Sequence, residues 1–300
     1  MQAWAEIDLG VIEKNTEIVR KQIGADIGII GVIKSDAYGH GIARVAPTLE
    51  KSDVSMLATI SLEEAWAARQ VCQLPIIVLG YLDPKEIAEA AEAGFTLSLY
   101  DVELAALYER IAARVGRRLR VHLAIETGMN REGLKPEEAR EFLSAIHRYP
   151  HVRVEAMFSH FYSPAEKSEN LKQLGVLQHL IVDLEGKIPV LPIHLSSSCS
   201  LKNFKEGYFD AVRVGLALYG LDEVLPGLAP AMTVKSKVAQ VKEVANGEGV
   251  GYDHTFIATA PTTVAIISIG CADGLTQRLE GQMEVLLDGK KVPVIGKICM

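Results

Sequence analysis

Short β-branched apolar runs alternate with amphipathic stretches along the first two thirds of the chain. The runs are IGIIGVI (27–33), SMLATI (55–60), IIVLGY (76–81), FTLSLY (95–100), RLRVHLAI (118–125), VRVEAMFSH (152–160), PIHLSS (192–197) and AVRVGLALYG (211–220). They are the strand candidates. Between them, SLEEAWAARQV (61–71) opens on Ser, carries Glu63 and Glu64 in its first turn and repeats apolar residues at helical spacing. DPKEIAEAAEAG (83–94) opens on Asp-Pro and closes on Gly, a helix start and stop. Eight such units predict an α/β fold built on a parallel (β/α)₈ barrel, with a doubly wound open sheet as the structural alternative.

After Asp222 the texture changes. PGLAPAMTVKSKVAQVKEV (226–244), HTFIATAPTTVAIISIG (254–270) and MEVLLDGKKVPVIGKIC (283–299) are β-rich, punctuated by Pro, Gly and Asp-Gly, and contain no convincing helix. This divides the chain into a barrel over 11–225 and a C-terminal β-rich domain over 226–300, which the strand-like AWAEIDL within residues 1–10 is placed to join. The final KVPVIGKICM stops without turn or polar tail, so either the domain closes here or chain continues beyond Met300.

Composition narrows the function classes. With 49% hydrophobic and 23% charged residues and a net charge of −7, the 300-residue chain is ordinary globular protein without a basic stripe, so neither nucleic acid nor an anionic membrane is an expected partner. Cys72, Cys199, Cys271 and Cys299 are far apart and form no CxxC pair, which suits a reducing compartment. The opening has no basic segment followed by an apolar one, and no stretch reaches the ~20 apolar residues of a membrane span, so the expected location is the cytoplasm.

Lys34 ends a run apolar enough to be buried, and lysine is seldom buried without a partner. The barrel gives it a place, because chemistry in this fold sits at the C-terminal ends of the strands and phosphate sites form after the last two. Arg131 follows the fifth run in ETGMNREG, His160 ends the sixth, His194 and Ser198 close the seventh, and Arg213 with Gly215 lies on the eighth. A Ser hydroxyl and exposed backbone N–H groups suit a phosphate, and a lysine at the same mouth can form a Schiff base. Together they suggest pyridoxal 5′-phosphate.

VIKSDAYGHG resembles the cofactor-lysine motif of the alanine racemase family, and ETGMNREG, SHF, VRVGLALYG, VGYDHTF, GCADG and PVIGKICM resemble further family motifs in the same order. The resemblance implies a pyridoxal-phosphate barrel followed by a β domain, a homodimer with shared active sites, and a small amino-acid substrate: L- and D-alanine, interconverted to supply D-alanine for peptidoglycan. It implies Lys34 as cofactor lysine and one catalytic base, and Tyr252 as the opposing base from the partner subunit. Tyr38, Ser198, Gly215, Leu216 and Tyr219 would cradle the phosphate. Arg131 would reach the ring oxygen and, with Met300, the substrate; His160 would lie against the ring; Arg213, steadied by His194, would face the ring nitrogen. Because an arginine offers only donors, it cannot hold that nitrogen protonated as an acid would, which suits racemisation better than decarboxylation or transamination.

Several positions depart from the family pattern. Ala124 stands where many members carry a carbamylated lysine bracing the arginine that matches Arg131; some broader-specificity racemases of this fold also have Ala there, with a small anion in its place. Ser197 stands for Asn, Val214 for Pro, Cys271 for Tyr, and Gln277 and Lys297 for Arg. A pyridoxal-phosphate decarboxylase of the same architecture is one competing function, which Arg213 opposes. A non-catalytic pyridoxal-phosphate-binding protein is the other, opposed by the β domain and Tyr252.

Overall fold

The computed structural model describes residues 2–221 and 225–300, so Met1 and residues 222–224 lie outside the described residues. The chain forms two compact units, Asp8–Ala231 and the pair Met1–Ile7 with Met232–Met300.

The larger unit follows a first strand, β1 (Ala3–Ile7), which belongs to the other unit. Its own strands are β2 (Gly28–Val32), β3 (Met56–Thr59), β4 (Ile76–Val78), β5 (Thr96–Leu99), β6 (Leu119–Ala124), β7 (Val152–Phe158), β8 (Ile193–Ser197) and β9 (Ala211–Val214). They form a closed parallel barrel in chain order, β9 returning to β2 with Gly28 opposite Ala211 and Ile30 opposite Arg213. Closure removes the open-sheet alternative. Each apolar run yields its strand, but two are shorter than the pattern predicts. IIVLGY is strand only to Val78, and AVRVGLALYG turns at Gly215 into the short helix Leu216–Tyr219.

Local chemistry accounts for the helix limits. Ser61 accepts from the Glu64 N–H at 3.2 Å to start helix Leu62–Arg69. Asp83 and Glu86 form a reciprocal capping box ahead of Pro84–Ala93, which Gly94 ends in the left-handed region at φ 71°. The segment after the barrel stays with it through Asn15, whose side chain donates to Leu218 O and Ala229 O and accepts from Ala229 N. Inside the barrel, Ile30, Val32, Ala58 and Ile77 make an apolar half on β2 to β4. The opposite half holds His122, Phe158, His194 and Arg213, with Phe158 stacked on His194 at 5.1 Å and the Arg213 guanidinium 5.4 Å from the Phe158 ring.

The smaller unit contains β1 paired antiparallel with β10 (Met232–Ser236), β11 (Val238–Val244), β12 (Gly249–Val250), β13 (Phe256–Ile257), β14 (Thr262–Ile267), β15 (Glu284–Leu287) and β16 (Lys290–Pro293). Pairs β11–β14, β12–β13 and β15–β16 are antiparallel. Among the described residues it has only 3₁₀ turns, and Val244, Ala258 and Val264 form its small core.

Candidate active site

The C-terminal rim of the barrel gathers most of the residues singled out by sequence. Lys34 follows β2, Arg131 lies in the loop after β6, His160 is two residues past β7, Ser198 directly follows β8, and Gly215 directly follows β9. His194 and Arg213 sit deeper than the rim, as the second residue of β8 and the third of β9.

Lys34 opens an unusual turn. Ser35, Asp36, Ala37 and Tyr38 all have φ between 49° and 56°, a single turn of left-handed helix made without glycine. Each such residue costs about 1–2 kcal/mol relative to the right-handed form. The surroundings hold the turn in place: Ala37 N–H donates to Ile33 O at 2.8 Å, Ile42 N–H to the Asp36 carboxylate at 2.8 Å, and Gly41 N–H to Asp36 O at 2.9 Å. His40 lies within 3.1 Å of both Ala37 O and Tyr38 O through Nδ1, which must therefore carry the proton. Gly39 and Gly41, at φ 80° and 90°, let the chain leave the turn. This gives Y-G-H-G a structural meaning: it locks the turn that projects Lys34 and Tyr38 at the rim.

Ser198 and Gly215 meet at the ends of β8 and β9. The Ser198 hydroxyl accepts from Gly215 N–H at 3.0 Å and Ala217 N–H at 3.2 Å at the head of the helix Leu216–Tyr219. A Cβ at position 215 would lie 2.5 Å from the Tyr38 hydroxyl, so glycine is needed for that hydroxyl's close approach. Tyr219 departs from its expected role. It is fully buried, its hydroxyl donates to Val32 O at 2.9 Å, and its ring packs under Tyr38 at 5.0 Å and His40 at 4.5 Å. It is a floor to the cradle rather than a donor within it.

Arg213 is 5% exposed and, among the described residues, has no carboxylate partner. Its guanidinium donates to His194 Nδ1, His194 O (2.8 Å), Ser159 O (2.5 Å), His160 Nδ1 (3.1 Å) and Leu195 O (3.2 Å). Arginine can only donate, so both imidazole Nδ1 atoms are bare. His194 must then carry its proton on Nε2 and donate it to His122 Nδ1 at 2.9 Å, which fixes the His122 tautomer as well. Burial first, and then Arg213, hold these rings neutral: His194 well below its usual pKa, His122 at about 4 and His160 at about 3. Burial, and then the Arg131 charge, bring Arg213 itself down to about 10. His160 thus makes a direct bond to Arg213 in addition to any ring contact.

The ETGMNREG loop closes on itself. Glu126 N–H donates to Leu134 O and Leu134 N–H to Ala124 O, while the Glu126 carboxylate accepts from Gly128 N–H and Asn130 N–H. Arg131 is half exposed and pairs with Glu132 at 3.3 Å. Gln173 donates 3.0 Å bonds to Thr127 Oγ1 and His160 O, tying loop to rim. Sequence reading missed His122, Gln173 and Glu132. Only His122 left a trace there, as a basic residue inside the otherwise apolar end of RLRVHLAI.

In the smaller unit, Tyr252 begins a 3₁₀ turn, Tyr252–His254, and is 71% exposed. Its neighbour Asp253 pairs with Lys297, which lowers the carboxyl pKa and raises that of the lysine. Met300 is exposed, and Leu216 is half-buried at its helix head.

Family comparisons match both units. Residues 7–223 match the alanine racemase N-terminal domain, and residues 231–300 match the alanine racemase C-terminal domain. The chain belongs to the alanine racemase family. Alanine racemase 1 of Bacillus subtilis is 36% identical over 310 residues, covering 99% of this chain and 78% of that protein. Among solved alanine racemases, the Clostridium difficile 630 structure superposes with a TM-score of 0.92 at 32% identity, covering 100% of this chain and 81% of that one. The Bartonella henselae structure, with covalently bound pyridoxal phosphate, superposes with a TM-score of 0.89 at 26% identity, covering 100% of this chain and 84% of that one.

Proposed function

We propose that this protein is a pyridoxal 5′-phosphate-dependent alanine racemase interconverting L- and D-alanine. The observation that carries the reading is the joining of a Ser198–Gly215–Tyr38 cradle to a rim lysine and a buried, donor-only Arg213, in a chain of this family.

The residues fit the cofactor. Ser198, Gly215, Leu216 and Tyr38 offer hydroxyl and amide groups to its phosphate, Lys34 an amine to its aldehyde carbon, and Arg131 a cation to its ring oxygen. When bound, the cofactor supplies an electron sink for the charge left at the substrate Cα. Arg213 has no atom that can accept a proton, and its histidine partners are neutral, so nothing at that end of the site acts as an acid toward the ring nitrogen. Arg213 would hold the ring nitrogen as a donor only, an arrangement that would favour return of the Cα proton over its loss. Lys34 and Tyr252 take and return it on opposite faces, Lys34 as an amine and Tyr252 as a phenol. Arg131 and Met300 contact the amino acid.

The same reading includes a homodimer in which Tyr252 serves the partner's site. Tyr252, 71% exposed in the smaller unit, is accessible to a partner subunit, which supports it. Cytoplasmic residence agrees with the free thiols of Cys72, Cys271 and Cys299, and D-alanine supply for peptidoglycan belongs to the same racemase reading.

The deciding experiment combines borohydride reduction with a chiral amino-acid panel in deuterated water. Reduction should place pyridoxyl on Lys34, and alanine should racemise with deuterium at Cα. Lys34→Ala should lower turnover by about 10²–10⁴-fold. Pyridoxyl on another lysine, or no racemisation of any amino acid, would overturn the reading.

A further inference from the structure

The loop after β6 contains a carboxylate whose position invites a role. Ala124, 2% exposed, ends β6 and forms the floor of a small cavity lined also by Glu126, Arg131, Glu132, Phe158 and His160. Its free space is about 10 Å³, room for a single water.

Positive charge dominates the surroundings. Burial first, and then the charges of Arg213, Arg131 and Lys34, depress the His160 pKa, and burial followed by Arg131 depresses that of Arg213. Two carboxylates line the cavity. Glu126 is committed to its own loop, accepting from Gly128 N–H and Asn130 N–H through separate oxygens. Glu132 is partly shielded, with its side chain 30% exposed, and places Oε1 3.3 Å from Arg131 Nη2. Its charge reaches Arg213 too, acting against the effect of Arg131.

We propose that Glu132 is a positioning residue for Arg131, a built-in anion that holds the guanidinium at the rim so that neither a modified lysine at position 124 nor a bound halide is required. The assignment rests on the racemase reading above, because it concerns how Arg131 is held for cofactor and substrate. An adjacent-residue pair is normally worth little at a surface. The Arg131 side chain is half exposed, but the buried Ala124 below it offers no anion, and Glu132 is its ion-pair partner among the described residues.

The test titrates cofactor binding, followed by absorbance, and alanine KM and kcat against sodium chloride and sodium formate, for the wild type and for Glu132→Gln. Sodium sulfate at matched ionic strength is the control. The wild type should respond equally to all three salts. Glu132→Gln should bind pyridoxal phosphate about fivefold more weakly and show a raised alanine KM, both recovered by chloride or formate and not by sulfate. Glu132→Asp, which keeps the charge, should need no added anion. A wild type that itself requires chloride, or a Glu132→Gln protein with unchanged affinity and no anion response, would overturn the proposal while leaving the racemase reading intact. A wild type that neither loads pyridoxal phosphate nor racemises would overturn both.

Discussion

At the scale of single residues, the site depends on atoms that are missing as much as on those present. Gly215 has φ −120° and ψ −83°, so no left-handed backbone calls for glycine there, and the demand is read from space. Its virtual Cβ would lie 2.5 Å from the Tyr38 hydroxyl and 3.0 Å from Cζ, and the fully buried Tyr219 ring limits where Tyr38 can go. Gly215→Ala should therefore displace Tyr38 and weaken pyridoxal phosphate binding by about 1–3 kcal/mol, the usual cost of overpacking. Adding Tyr38→Phe to the Gly215→Ala protein should relieve the closer of the two contacts and change affinity non-additively. Spectrophotometric cofactor titration of the four proteins checks this; equal affinity in wild type and Gly215→Ala would show that Tyr38 has no part in the cradle.

At the scale of elements, three strands share one hydrogen-bond chain. Arg213 on β9 donates to His194 on β8, which donates to His122 on β6. His122 is neutral in the folded protein, its pKa lowered from 6.5 to about 4 by burial and then by Arg213 and Arg120. An unfolded chain would take up a proton there below about 6.5 while the folded chain would not, so stability should fall as pH drops through this window and level off for this group below about 4. The full effect is of order 3 kcal/mol. Urea midpoints between pH 7 and 4.5 should decline, and His122→Asn should decline less, by about one proton in slope. Parallel declines would mean that His122 is charged in the fold.

Across the whole molecule, the proposed bases belong to separate compact units, Lys34 to the barrel and Tyr252 to the β-rich unit. If the partner subunit supplies Tyr252, mixing inactive Lys34→Ala and Tyr252→Phe subunits should create heterodimers with one intact site. These should both exchange and invert the α-hydrogen, whereas Tyr252→Phe alone should exchange it slowly from one enantiomer through Lys34. Loss of a general base costs about 10²–10⁴-fold, so recovery should stand clear of background. Mixed dimers that form without regaining racemisation would place both bases on one chain.

The chain by itself determined the eight barrel strands, the capped helices, the β-rich end and the order of the rim residues. Each of these depends on interactions within a few positions: apolar runs, a Ser or Asp at a helix start, a Gly at its end. Tertiary structure decided what those residues touch. The Tyr219 hydroxyl found Val32, 187 positions away, and His122 found His194 across 72, because barrel closure sets the register in which distant strands meet. The left-handed turn after Lys34 was equally hidden, since no local propensity favours four such residues without glycine. Packing and hydrogen bonds from Ile33, Ile42 and His40 offset its backbone cost, and those partners lie in place only once the strand and the following helix are docked.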